Sequence, residues 1–296
     1  MILALWKGTF ADVSDSPIHT DSMPAKKTFG GAPPRVLIFD SGVGGLSVLR
    51  EVAALLPSVS LTYAADNAAF PYGLKPEGEL VARVSSVVGR LVERVAPDVV
   101  VIACNTASTT ALEAVRSFLD IPVIGVVPAI KPAAAASLTR TIALLGTQTT
   151  VATAYTGALI AEFAAGCSVL TCAASELVEA AELKMQGDEI DPRLIATVLK
   201  RLFDMEGGDN IDTVVLGCTH FPLLAGELAA AAPRAVAWMD SGAAIARRVA
   251  TILGTQGRGA ALCEHKAIFT ARTGAVERMR VGLGRFGLSE IGFLTI

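Results

Sequence analysis

Asp98–Thr106 reads DVVVIACNT, and the fold follows from it. The β-branched run Val99–Ile102 is short for a helix and shows no alternation with polar residues. It reads as a strand buried on both faces, the mark of a parallel sheet covered by helices. The run ends directly in Cys104, and the small polar residues Asn105, Thr106, Ser108 and Thr109 follow and open a helix. The same device returns at Thr213–His220, TVVLGCTH, where a strand ends in Cys218 and Thr219 follows.

Around these two anchors, apolar runs alternate with helical patterns. Arg35–Phe39 (RVLIF) and Leu61–Ala65 read as buried strands, with a Gly-rich turn and a helix over Leu46–Leu56 between them. A long helix spans Glu79–Val95. After Cys104 a helix over Thr109–Leu119 leads to a strand at Pro122–Val126. The series then restarts with a strand at Thr141–Leu145, a helix over Val151–Ala165 and a strand at Val169–Thr171. Helices over Glu176–Gln186 and Pro192–Met205 precede the strand Thr213–Leu216. The expected class is α/β: two similar doubly wound parallel-sheet units facing each other, related by pseudo-two-fold symmetry. A second Asp-Ser-Gly at 240–242, echoing 40–42, adds to this weak internal repeat.

The bulk properties suit one large or two ordinary domains in 296 residues. A net charge of −3 offers no electrostatic footprint for nucleic acid or an anionic membrane. No membrane span is expected, and the apolar start Met1–Trp6 is cut short by Lys7 and Asp12, which is poor signal-peptide architecture. A cytoplasmic location is expected. Residues 1–34 have no hydrophobic period and read as a disordered extension. Five cysteines, an odd number at irregular spacing, do not form a disulfide framework.

Ligands of open parallel sheets bind beyond the carboxyl ends of the strands, where Cys104 and Cys218 both fall. A helix N-terminus beside each suits a carboxylate ligand and lowers the pKa of a thiol. The chain thus offers two potentially activated thiols in matched contexts, each with an anion-binding turn beside it. Either cysteine alone reads equally as a small buried hydrophobe, as Cys167, Cys172 and Cys263 do. Asp40 ends the first strand on the same rim as Cys104, and His220, two residues after Cys218, reads either as a partner to that thiol or as a surface or satisfied core residue. Other readings compete. Gly42-Val43-Gly44-Gly45, followed by Asp66, resembles a dinucleotide turn, although Ser47 stands where its third glycine belongs and Asp40 would face the pyrophosphate. A metal site at Cys104, Cys218 and His220 matches no zinc spacing. A two-lobed binding protein without chemistry also fits the pattern.

Five segments together resemble the glutamate racemases: Ile38–Leu46 (IFDSGVGGL), Asp66–Gly73 (DNAAFPYG), Val101–Thr109 (VIACNTAST), Leu216–Leu224 (LGCTHFPLL) and Asp240–Gly242 (DSG). The aspartate racemase branch typically has His after CNT and Glu after the second Cys-Thr, where this chain has Ala107 and His220. The resemblance implies interconversion of L- and D-glutamate, without cofactor or metal, supplying D-glutamate for peptidoglycan. It implies Cys104 and Cys218 as the catalytic pair. Asp40, Ser41, Tyr72, Gly73, Asn105, Thr106, Thr219 and His220 would contact the substrate. It implies two domains, 35–130 plus 240–296 and 131–239, with the substrate in the cleft between them, in a monomer or homodimer. The family usually carries a stretch like C-P-x-L-V-x-L-V-E, whose last Glu lies near the site. Here Thr171–Glu179 reads TCAASELVE, without the proline and one residue shorter, and the alignment falls on Glu179.

Overall fold

The computed structural model describes residues 32–254 and 263–295. The expected N-terminal extension falls on residues 1–31, outside the described residues, apart from 32–34, which carry neither helix nor strand. The first lobe opens with β1 (Arg35–Asp40), α1 (Leu46–Leu55), β2 (Ser60–Ala65) and α2 (Glu77–Val95). It continues through β3 (Val99–Ile102), α3 (Asn105–Phe118) and β4 (Val123–Gly125). The second lobe contains α4 (Ile130–Ala136), β5 (Thr141–Gly146), α5 (Gln148–Ala152), α6 (Ala154–Phe163) and β6 (Ser168–Ala173). After these come α7 (Glu176–Gln186), α8 (Pro192–Phe203), β7 (Thr213–Leu216), α9 (Ala225–Ala231) and β8 (Ala237–Met239). The chain finishes with α10 (Gly242–Leu253), β9 (Lys266–Phe269), α11 (Gly274–Arg278), α12 (Arg280–Gly284) and β10 (Glu290–Phe293).

Every strand pairing is parallel. The first sheet runs β10-β9-β2-β1-β3-β4 and the second β6-β5-β7-β8. Taken from its own first strand, each sheet contains the order second, first, third, fourth. Cys104 follows the third strand of one, and Cys218 lies beyond the third strand of the other, so both lie beside the point where the strand order reverses. β9 and β10 extend the first sheet past β2, and no helix or strand was expected from the sequence for residues 242–293.

The uniformly apolar strands are explained by burial on two faces. Val36, Ile38, Val99 and Val101 point to α1 and α10, while Leu37, Phe39, Val100 and Ile102 point to α2 and α3. All eight are fully buried, each stabilising the sheet by about 1.5–3 kcal/mol. In the second lobe, α8 turns Ile195, Val198, Leu199 and Leu202 inward. Pro192 sits at its first position and Asp191 caps it, accepting from Arg193 N at 2.9 Å.

Two helices depart from expectation. α3 starts at Asn105, directly after Cys104, four residues before the predicted start. Cys104 adopts an extended conformation (φ −135°, ψ 119°) as the N-cap, so Asn105, Thr106 and Ala107 form the first turn. The single helix expected over Val151–Ala165 is two, α5 and α6, broken at Thr153. There the backbone is extended, and Oγ1 accepts from Thr156 N at 3.2 Å.

Candidate active site

Cys104 and Cys218 are both buried, 6% and 7% exposed, each emerging from the centre of its sheet. Their surroundings differ. Cys104 caps a 14-residue α-helix, whereas Cys218 is followed by a short 3₁₀ turn over Phe221–Leu224. The helix N-terminus does not lower the Cys104 thiol as the sequence suggested. Burial and the neighbouring Asp40 push it well above its ordinary value, outweighing a backbone N–H from Ala107. Cys104 is therefore a neutral thiol at pH 7. Ser41 Oγ lies 4.0 Å from its sulfur.

Asp40 is fully buried at the end of β1. Its carboxylate accepts from Ser41 N at 2.6 Å, Gly45 N at 2.5 Å and, across the cleft, Thr219 Oγ1 at 3.2 Å. Burial raises its pKa, and the charge on His220 draws it back down. The aspartate thus braces the first glycine turn and ties it to the residue after Cys218.

His220 is 3% exposed, with Nδ1 3.8 Å from Cys218 Sγ and Nε2 2.9 Å from Glu182 Oε1. Burial alone would discharge the imidazole. The Cys218 sulfur and the Glu182 carboxylate oppose that and raise its pKa well above 6.5. The protonated ring donates from both nitrogens, one toward sulfur and one to carboxylate.

Glu179, aligned to the family's glutamate, does not reach this cluster. It lies on the exposed side of α7, while Glu182, three residues later, turns inward. A signal for Glu182 was present. It falls four residues after Val178 and three before Met185, both buried, so it is a carboxylate on the apolar stripe of an amphipathic helix.

Asn105, Thr106 and Thr219 are buried at the strand ends beside the two cysteines, so their polar groups can meet a ligand there. Tyr72 is buried, but its hydroxyl is committed to Asp66 at 2.7 Å. Asp66 also takes Arg83 at 2.7 and 2.9 Å and Thr270 Oγ1 at 2.7 Å. It is a structural anchor and does not serve a ribose. The Gly73 carbonyl accepts from Thr149 Oγ1 at 2.8 Å, a bond that crosses from the second lobe to the first. Beside Cys218 is a void of about 10 Å³, lined in part by Ser47, Asn105, Asp240 and Ser241. That is room for about one water, too little for an amino acid. A larger hollow of about 380 Å³, lined in part by Arg50, Lys184, Arg285 and Phe286, holds neither cysteine. Among the described residues no group of three or more His, Cys, Asp or Glu is placed to hold a metal ion, and no helix is long and apolar enough to cross a membrane.

Comparison with known proteins agrees with this layout. Residues 44–249 match the Asp/Glu/hydantoin racemase family. The glutamate racemase of Sphingopyxis alaskensis is 50% identical over 235 residues, 79% of this chain and 88% of the relative. The Escherichia coli glutamate racemase, solved with L-glutamate and the activator UDP-MurNAc-Ala, superposes with a TM-score of 0.83 at 44% identity. That match covers 89% of this chain and 98% of the other. Glutamate racemase isoform RacE1 of Bacillus anthracis superposes at 0.75 with 27% identity, over 90% and 98%. The chain belongs to the Asp/Glu/hydantoin racemase family. Within that family of isomerases it groups with the glutamate racemases.

Proposed function

We propose that this chain interconverts L- and D-glutamate by a two-base mechanism, with Cys104 and Cys218 on opposite faces of the substrate Cα and no cofactor. The observation that carries this reading is the pair of buried cysteines beyond the third strands of two sheets with the same strand order, bridged by Asp40 and Thr219. Inversion at Cα needs a base on one face and an acid on the other, because a single base returns its proton to the face it came from. One sulfur must be thiolate while the other is thiol, and they exchange roles with each turnover. The neutral Cys104 suits the acid role for L-glutamate. Cys218, with His220 able to hold a proton beside it, suits the base role. Reaction of D-glutamate runs the same steps in reverse.

The Cα–H is a far weaker acid than a thiol, so the carbanion-like state must be stabilised. Ser41, Asn105, Thr106 and Thr219, with the N–H groups of the first turn of α3, are the groups available to the α-carboxylate. Closing the lobes excludes water and strengthens these interactions. The E. coli relative bound to L-glutamate supports this choice of substrate. The substrate-closing segments would belong to domains 35–130 plus 240–296 and 131–239, a division supported by β9 and β10 pairing into the first sheet. We place the activity in the cytoplasm, supplying D-glutamate for peptidoglycan. The test is Cα–H exchange in D₂O, followed by NMR without added cofactor, on L-glutamate and L-aspartate in parallel. Deuterium entering glutamate with loss of optical rotation is expected. Exchange in aspartate alone would transfer the chain to the sister specificity, and exchange in neither would return it to the binding proteins.

A further inference from the structure

The turn Gly42–Ser47 resembles a phosphate-binding loop but is filled by protein. A Cβ on Gly44 would collide with Nδ1 of His220 and lie 2.7 Å from Thr219 Oγ1. One on Gly42 would collide with Oε1 of Glu182 and sit 3.0 Å from the Phe70 ring. Val43 N donates to that same Glu182 oxygen at 2.7 Å. Ser47, which replaces the third glycine of a dinucleotide turn, directs its buried hydroxyl to two carbonyls, Gly44 O at 2.8 Å and Thr219 O at 2.9 Å. The second of these lies in the other lobe, one residue from Cys218.

We infer that Gly44 and Ser47 are positioning residues for Cys218: the lobe that carries Cys104 supplies the seat on which the Cys218–Thr219–His220 turn is held. Gly44 contributes absence of bulk, since any side chain there displaces the imidazole from between Cys218 and Glu182. Ser47 contributes the hydroxyl that fixes the Thr219 carbonyl. The seat is shared between the lobes: Gly44 and Ser47 belong to one, and the Cys218 turn that rests on them belongs to the other. Cys104 is held in place within its own lobe by the α3 N-cap and Ser41, and meets the seated turn through Asp40. The titratable groups facing the Cys218 turn are His220 itself, Glu182 from α7, Asp40 from β1, Asp240 after β8, Tyr63, whose hydroxyl donates to Gly42 O, and Cys104 across the cleft. Only the activity readout of this inference rests on the racemase reading.

The experiment is alkylation of the full chain with iodoacetamide across a pH series, with Cys104 and Cys218 read separately by peptide mass spectrometry. Wild type, Gly44→Ala, Ser47→Ala and the control Gly78→Ala, which has open space around it, are compared. In Gly44→Ala the Cys218 profile is expected to shift by clearly more than that of Cys104, which meets the turn through Asp40. With glutamate, kcat is expected to fall about tenfold or more with KM within about threefold. Gly78→Ala should match wild type in every readout. Ser47→Ala, which adds no bulk, should move the Cys218 profile in the same sense by less, and it carries the test if Gly44→Ala does not fold. Unchanged profiles, or equal shifts at both cysteines, overturn the inference. A Cys218 shift in Gly44→Ala or Ser47→Ala, from a wild type that exchanges no glutamate, would leave the seat standing and remove the glutamate reading instead.

Discussion

Oε1 of Glu182 stands 2.9 Å from Nε2 of His220 and also accepts from Val43 N, so one carboxylate oxygen joins the imidazole beside Cys218 to the opposite lobe. After the Cys218 sulfur, the hydrogen bond to this carboxylate is the main influence that keeps the ring protonated. Glu182→Gln should therefore lower the His220 pKa, read as the imidazole NMR titration of the folded protein. The wild-type ring should remain charged as pH rises through neutrality and discharge only in alkali. Being raised in the folded state, this group contributes stability below its unfolded pKa, and that contribution is lost as pH rises through the folded value. The same substitution should reduce kcat about tenfold or more.

Cys104→Ala and Cys218→Ala should each reduce racemisation about 10³-fold or more while leaving the far-UV circular dichroism unchanged. Each thiol is buried but small, and Ala fills most of its volume. A variant that racemises at a near wild-type rate would end the two-base mechanism.

Asp66 is held below the ordinary carboxylate range by Arg83, Thr270 and Tyr72, which together outweigh its burial. A depressed carboxylate contributes stability above its unfolded pKa and loses it as pH falls through the folded value. Wild type should lose Tm on acidification below about pH 4, and Asp66→Asn should show a flatter acid limb. Arg83→Met leaves the buried charge unpaired and should cost about 3 kcal/mol in urea unfolding at neutral pH.

Thr149→Val removes the hydroxyl that bonds Gly73 O from across the cleft. One neutral hydrogen bond is worth about 1 kcal/mol, so KM for glutamate should rise about fivefold through weaker closure, with kcat little changed. Equal loss in kcat would mean that the contact shapes the reacting geometry.

The parts of this molecule that announce themselves in the sequence are those whose physics is local and repetitive. A strand buried on both faces must be apolar throughout, so β1, β3, β5 and β7 are plain in the chain, and the helix Glu176–Gln186 has the predicted bounds. β8, β9 and β10 are three or four residues long, lie at or near sheet edges and carry no distinct apolar run. Their places are decided by partners far away in sequence. In the candidate site, the cysteines, Asp40, Thr219 and His220 stand out in the sequence because they lie at or just past the ends of apolar strands. Glu182 was passed over in favour of Glu179 because a motif was followed where helix periodicity pointed three residues further on. The Gly42–Gly45 turn was legible as tight, but its occupant was not: what fills it comes from residues 182 and 220.

The placement of β9 and β10 has a consequence for how the molecule is made. The strands of the second sheet span residues 141–239 without interruption, so all of them have been synthesised before β9. The first sheet begins first and is finished last: the outer edge of β2 has no neighbour until residues 266–269 leave the ribosome, some two hundred residues after β2 itself. Through that interval the nascent chain presents an open parallel edge, the kind of surface that invites wrong pairing. The lobe holding Cys104 is thus completed only after every strand of the second sheet has been translated, beside a neighbour whose sheet can already be in place.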